Sequence, residues 1–456
     1  RNFLPRLAMA WTPGALGNKT VIRWGFGLNV GPGQGEDQIQ PIESDRISVT
    51  QTGGAYPINP QTLIDRFDPA NLVGYQPRAY DRGYILPERV TQWNVSVQQE
   101  LPGQTVLTVA YVGSVGRHLF NRSFTNFITD VATNPTTGVA VITRQFGAQF
   151  AEVDVKATNG TDPSYAMHTT LNRRFSSGLI FGSQWTWAHS LGTTAGSNEA
   201  TTQSNPFDLY ADYGNNNFDV RHSFNASVLY ELPIAAGKPW NLSGAGDALL
   251  GGWQVGGIVN ARTGIPVDLR VTRPDVVYRN NSTGAITAAP VLVGGVPVTT
   301  AIINTPGGGS SRNIRRPDVV PGVDPFLKTG RLTFLNPAAF ATPAPGTFGN
   351  YVRNTLHGPG LSQFDLTLGK QVKVHEQMNV EFKAEFYNLL NHANFANPSG
   401  LLPAALGTAT NQLQPSQPFS ASTAGVGSWG TLQSTVGRTI GLGTSRQVQL
   451  SLRFNF

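Results

Sequence analysis

No cysteine occurs among the 456 residues, which removes disulfide scaffolds, thiolate zinc sites and cysteine nucleophiles together. Charge is scarce as well. Asp, Glu, Lys and Arg supply 13% of the chain, against a soluble norm of about 25%. Hydrophobic residues stay at 39%, too few for a bundle of membrane helices, and no uncharged apolar run of about 18 residues is present to cross a bilayer as a helix. The 33 basic residues never run beyond pairs such as Arg173-Arg174 and Arg315-Arg316, so no nucleic-acid partner is expected. The chain opens Arg1-Asn2-Phe3-Leu4-Pro5, without Met and without a charged-then-apolar leader, the opening expected of a trimmed chain or of the C-terminal portion of a longer one. What is plentiful is Gly (51) and Pro (31), about 18% of the residues where about 12% is usual. Aromatics at 10% argue against disorder. An all-β protein with many turns remains.

Period-two alternation is the main signal. In Gln447-Val448-Gln449-Leu450-Ser451-Leu452-Arg453-Phe454-Asn455-Phe456 every even position is apolar and every odd one polar. Met378 to Phe386 repeats the pattern, with Met378, Val380, Phe382, Ala384 and Phe386 against Asn379, Glu381, Lys383 and Glu385. A helix would scatter these apolar residues around its cylinder, whereas a strand gathers them on one face. Further strands are predicted at about 5–12, 19–29, 89–100, 104–113, 165–175, 179–190, 220–231, 251–262 and 361–371. At about 9–12 residues they match tilted strands that cross a bilayer and exceed the soluble mode of about five to six.

Connection lengths alternate too. Pro13–Asn18, Leu101-Pro102-Gly103, Ser176-Ser177-Gly178 and Lys373-Val374-His375-Glu376 are short, and Leu232 to Leu250 is of medium length. The stretches 30–88, 114–164, 191–219, 263–360 and 387–446 are long and rich in small polar residues. Short turns on one side and long loops on the other describe a transmembrane barrel. About eleven strands, joined as up-and-down neighbours, cannot close a single-chain bacterial barrel, which takes an even number. The expected fold is therefore all-β, the C-terminal portion of a larger transmembrane antiparallel barrel.

Several segments resemble one family. Thr91-Gln92-Trp93-Asn94-Val95-Ser96-Val97-Gln98-Gln99-Glu100-Leu101-Pro102, followed by Ala110-Tyr111-Val112-Gly113-Ser114-Val115-Gly116-Arg117-His118-Leu119, is similar to a hairpin of TonB-dependent receptors of the Oar-like type. Leu171 to Leu179, Trp185-Thr186-Trp187-Ala188-His189-Ser190, Asn217 to Phe224, Gly252-Trp253-Gln254-Val255, Leu356-His357-Gly358-Pro359-Gly360, Glu385 to His392 and Asn394-Phe395 continue the resemblance along nearly the whole chain. It implies an outer-membrane barrel of about twenty-two strands, with an N-terminal plug, often behind a carboxypeptidase-regulatory-like domain. Neither plug nor TonB box is visible, so residues 1–456 are expected to be one receptor-like barrel domain, a C-terminal fragment without plug or signal peptide. The implied partners are outer-membrane lipid, the barrel-assembly machinery, the TonB complex through the parent's plug, and an unidentified extracellular solute.

Residue roles follow from the alternation. Val448, Leu450, Leu452, Phe454 and Phe456 resemble the C-terminal signal read by the assembly machinery, and also suit an ordinary lipid-facing strand. Trp11, Trp24, Trp93, Trp185, Trp187 and Trp253 fall on predicted strands, mostly near an end, and suit an aromatic girdle, or alternatively the core of a soluble sandwich. Arg23, Arg173, Arg221, Arg262, Glu381, Lys383, Glu385 and Arg453 are expected to face the lumen, since charge facing lipid costs about 2–4 kcal/mol near the midplane. A hydrated wall explains them without a solute contact.

Chemistry is harder to find. Asp208, Asp212, Asn215, Asn216, Asn217 and Asp219 are rich in oxygen, but the EF-hand spacing is missing and turn chemistry is favoured. Gly425-Val426-Gly427-Ser428-Trp429-Gly430 matches a dinucleotide fingerprint in letters only, and His375-Glu376 lacks the second His of a zinc motif. No catalytic residue, cofactor or metal site is expected, and the protein is not expected to be an enzyme. The competing reading is a secreted, soluble, β-rich carbohydrate-binding or adhesin protein. Its apolar faces would converge on a shared dry interior.

Overall fold

A computed structural model describes residues 3–31, 56–65, 77–84, 87–147, 150, 152–194, 203–271, 273–307, 315–327, 332–373, 378–401, 418–419, 429–437 and 445–456. Eleven strands form the continuous path of a 13-stranded sheet: β1 (Arg6–Trp11), β2 (Thr20–Val30), β3 (Arg89–Leu101), β4 (Thr105–Thr125), β5 (Val153–Ser176), β6 (Leu179–Gly192), β7 (His222–Glu231), β8 (Trp253–Arg262), β9 (Leu361–Lys373), β10 (Asn379–Tyr387) and β11 (Gln447–Asn455), with the short pieces Arg78–Tyr80 beside β5 and Gly214–Asn215 beside β6 off that path. Each of the eleven pairs antiparallel with its neighbour in sequence along the unbroken path β1 to β11. Among the described residues no helix is long and apolar enough to cross a membrane.

The register sorts the side chains. Residues directly opposite across an antiparallel pair share a face. One row runs Gln98, Thr108, Thr170, Gln184, Asn225, Asn260 and Gln363 over seven strands. One step away lies Val97, Val109, Thr169, Trp185, Phe224, Ala261 and Ser362, pointing the other way. The amide and hydroxyl row and the mostly apolar row stay on opposite faces throughout.

The apolar face is uncovered among the described residues. Met9, Trp11, Val95, Tyr111, Val228, Leu450 and Phe454 are all exposed. The hydrophobic core lies elsewhere, in the loop layer: Val267, Leu269, Val271, Leu335, Ala339, Phe340, Tyr351, Phe419 and Trp429. A sandwich of two stacked sheets, as the soluble alternative requires, is not what this arrangement forms.

Strand stagger gives the tilt. The row that leaves Trp11, at the turn end of β1, passes Ile22 and Val97 and arrives at Ser362 in β9. Ser362 stands eleven residues before the turn end of that strand, Lys373. A climb of about 11 residues over about eight strand steps, at roughly 3.3 Å per residue and 4.8 Å per step, is a tilt of about 43°. Membrane barrels tilt their strands by about 35–45°.

Turns at one end are tight. Ser177 and Gly178 both have positive φ, 53° and 82°, which a two-residue hairpin turn needs. A Cβ on Gly178 would also lie 2.8 Å from the Glu231 carbonyl oxygen. At the other end β4 and β5 run far past the expected 104–113 and 165–175, to 21 and 24 residues. Much of the expected loop 114–164 is thus paired strand, crossed by register shifts around Leu119. The alternation fails there because burial takes both apolar and charged side chains: Phe120 and Phe124, but also Asn121, Asp154 and Lys156. Loop 263–360 holds a small sheet of Ile286–Thr287, Val276–Asn280 and Thr299–Ile303 around Val277 and Ile286. The connection from Leu232 to Leu250 includes a short helix, Ala245–Leu250.

Candidate functional site

Two features stand out, the polar face of the sheet and an ion network where the loops meet its outer end. On the polar face Arg23 donates to Gln98 Oε1 at 2.8 Å. Its row continues through Ser96, Ala110, His168, Thr186 and Ser223 to Arg262. Glu381 stands opposite Arg453 and pairs with Lys383 at 2.8 Å. Glu385 stands opposite Thr367 and Gln449 on the same face. Arg221 lies just beyond the start of β7, where its carbonyl accepts from Ala188 N, and its guanidinium pairs with Asp219 at 3.2 Å.

Arg173 departs from the expected lumen-facing position. Its register partners are Thr105 and Phe181, which puts it on the apolar face rather than among the polar-face charges. It stands three residues before the end of β5, near the tight turn. A long cationic side chain tolerates that end position because its head reaches the interface. Lys370, which no sequence pattern marks, shares a row with Trp253 and Phe382 on the apolar face.

All six of these tryptophans, Trp11, Trp24, Trp93, Trp185, Trp187 and Trp253, lie on the apolar face. Trp11 and Trp253 stand at the turn ends of their strands, and Trp93 and Trp187 eight residues from theirs. Trp24 and Trp185 lie between. Trp93 sits over Gly113, where a Cβ would meet its ring at 2.3 Å, and packs on Tyr165 at 6.2 Å. Trp185 stacks on His222 at 5.9 Å. Val448, Leu450, Leu452 and Phe454 alternate onto the exposed apolar edge strand, and Phe456 is almost wholly exposed.

The outer network draws together segments far apart in the sequence. The Asp219 carboxylate accepts from Ser190 N at 2.7 Å, pairs with Arg221 and lies 3.8 Å from His357 Nε2. Burial alone would raise this carboxyl. The Ser190 amide and the nearby His357 and Arg221 outweigh it and hold Asp219 below the usual carboxylate range. Asn354 donates to the Asn215 carbonyl and to Asn217 Oδ1 at 2.7 and 2.8 Å. Three segments of the family resemblance, 185–190, 217–224 and 356–360, therefore meet at one seam. Gly358 belongs there sterically, since its Cβ would lie 2.0 Å from Asn397 Oδ1.

Deeper in the loops Arg316 pairs with Asp268 and, at 3.5 Å, with Asp212. Burial opposes its charge, but the two carboxylates hold its pKa above the ordinary value. Arg353 donates to the carbonyls of Gly192 and Thr193. Arg273 donates to the carbonyls of Asn304, Pro343, Ala344 and Thr347. Burial and the charge of Arg315 lower its pKa to about 10. These arginines carried no sequence signal, because their partners are remote: Asp212 and Arg316 are 104 positions apart.

The oxygen-rich stretch 208–219 is divided among separate tasks. Asp208 caps a helical turn at Tyr210 N, Asp212 accepts from Ser204 N, Asn215 meets His189, and Asn216 donates to Ser190 Oγ. No group of three His, Cys, Asp or Glu side chains suited to a metal ion occurs among the described residues. His375 and Gly425 to Ser428 lie outside the described residues.

A family model described as outer membrane beta barrel domain matches residues 1–449. The chain belongs to that family. Its place is the outer membrane, so the apolar face of this barrel domain meets lipid. No curated protein matches it in sequence. Among solved structures it is similar to the outer membrane transporter YddB from Escherichia coli, at 7% identity and a TM-score of 0.46, covering 100% of this chain and 40% of that one. For the FrpB iron transporter from Neisseria meningitidis the values are 9%, 0.40, 100% and 39%. For the ferric-catecholate import receptor Fiu from K12 E. coli they are 10%, 0.33, 84% and 30%. The barrel domain thus spans 30–40% of the length of these three chains.

Proposed function

We propose that the chain is part of the wall of a TonB-dependent receptor of the Oar-like type, which takes up a solute from outside the cell. The observation that carries this reading is the unbroken polar row from Gln98 to Gln363 behind an apolar face. A wall of amides, hydroxyls and paired charges suits a hydrated lumen, and long loops over its outer end suit solute capture. In the parent, a plug pulled by the TonB complex gates the lumen, and the barrel closes with about twenty-two strands. Arg23, Arg221, Arg262, Glu381, Lys383, Glu385 and Arg453 line the water-filled side, and the six tryptophans form the girdle.

The β11 residues Val448, Leu450, Leu452 and Phe454, with Phe456, serve as the signal for barrel assembly. An edge strand with a free ladder pairs with an assembly factor before closure. Deleting Phe456 from the full-length protein is expected to lower the yield of heat-modifiable barrel in the outer membrane, and an unchanged yield refutes the signal role. Uptake itself is tested by growth or binding with candidate solutes in cells with and without TonB. Uptake independent of TonB defeats the transporter reading and favours an open porin.

A further inference from the structure

The connection between β7 and β8 is longer than the other turns at its end of the sheet, and its short helix Ala245–Leu250 sits on the lipid side. Two contacts fix that position. The Trp253 indole donates to the Leu249 carbonyl at 3.1 Å. The Lys370 ammonium donates to the carbonyls of Leu249 and Gly251 at 3.1 and 2.7 Å, and lies 5.1 Å from the Trp253 ring centroid. Trp253 and Lys370 belong to the apolar row that continues to Phe382 and Leu452. The helix end is therefore fastened beneath the lipid-facing surface, not under the lumen. Its own Leu249 and Leu250 are 70% and 58% exposed, next to a surface that is itself apolar.

We propose that this helix is an interfacial anchor, laid in the phospholipid headgroup layer at the turn end of the barrel with Leu249 and Leu250 turned toward the acyl chains. The partner is a lipid surface because the exposed leucines adjoin the Trp253 end of a lipid-facing row. Interfacial helices bind at this depth through buried apolar area. Lys370 fits the same boundary. On a lipid-facing row its charge is tolerated near the interface, and here helix-end carbonyls and an indole face receive it. The connection is long because it spans both sides of the strand ends: Lys238 pairs with Glu231 of the polar face at 3.3 Å, and the helix end meets Trp253 and Lys370 of the apolar face. The inference rests on the lipid-facing reading of the apolar rows.

The chain lacks cysteine, so single labels are simple to place. Leu249→Cys, Val259→Cys on the apolar face of β8 and Ser282→Cys in an exposed outer turn are each labelled with bimane in the full-length protein. The proteins are reconstituted in phosphatidylethanolamine and phosphatidylglycerol vesicles. Lipid brominated near the headgroup is expected to quench the label at 249, with iodide quenching several-fold weaker there than at 282. If iodide reaches 249 as well as 282 while bromolipid quenches 259 alone, the helix lies in water and the anchor is refuted. If neither 249 nor 259 responds to bromolipid, the anchor falls together with the lipid-facing reading.

Discussion

Neighbouring positions on β3 separate the two faces by a single residue. Val95 lies on the apolar face opposite Trp24 and Tyr111, and Asn94 on the polar face opposite Gly25 and Val112. On the apolar side of this strand the interruptions are Arg89 and Gln99, with Thr91, Trp93, Val95 and Val97 between. Ten residues at roughly 3.3 Å, tilted by about 43°, make a band about 24 Å tall, close to the apolar band of about 25 Å in membrane barrels. Val95 and Asn94 stand at its middle. Val95→Arg should cost about 2–4 kcal/mol, or roughly 30- to 900-fold in the folding equilibrium. Asn94→Arg enters water and should cost well under about 1 kcal/mol. Denaturant unfolding in phospholipid vesicles, followed by tryptophan emission, measures both in full-length protein. A larger cost at Asn94 would reverse the two faces, and equal costs would mean that neither meets lipid.

Gly113→Val should displace the Trp93 indole and cost about 1–3 kcal/mol by overpacking, seen as a changed near-ultraviolet dichroism and a lower unfolding midpoint. Arg353→Met should remove a charged donor from the buried carbonyls of Gly192 and Thr193, at about 1–3 kcal/mol in all, and speed protease nicking within loop 191–219 with little change in the strands. Asp219 has a depressed folded pKa, so its stabilisation is complete above the ordinary carboxylate value of about 3.9 and is lost as pH falls through the folded value. Hydrogen exchange at Ser190 should rise in that acid range, and Asp219→Asn should remove the acid-dependent part.

The strands were legible because each is half wet and half greasy, and that condition writes a period of two into the sequence. Met378 to Phe386 and Val448 to Phe456 show it most plainly. Past Gly116 the outer parts of β4 and β5 pack on both faces among loops, so the period dissolves although the ladder continues. Arg173 misled because alternation tells which residues share a face, not where the bilayer stops, and a cation at a strand end obeys a weaker rule than one at the centre. The arginine network was illegible for a different reason. Asp212, Asp268 and Arg316 become neighbours only after long loops fold over the sheet, and no local pattern encodes that. The tryptophans were traced to the right strands, but their division between strand ends and band interior needed the stagger.

The paired run from Thr105 and Arg173 out to Thr125 and Val153 has a mechanical meaning. It rises from the membrane as a stiff spar, rooted in the same strands that cross the bilayer. A pull on its tip along the strand axis would load many cross-strand bonds in shear at once, so force applied outside the cell would reach the embedded strands with little slack.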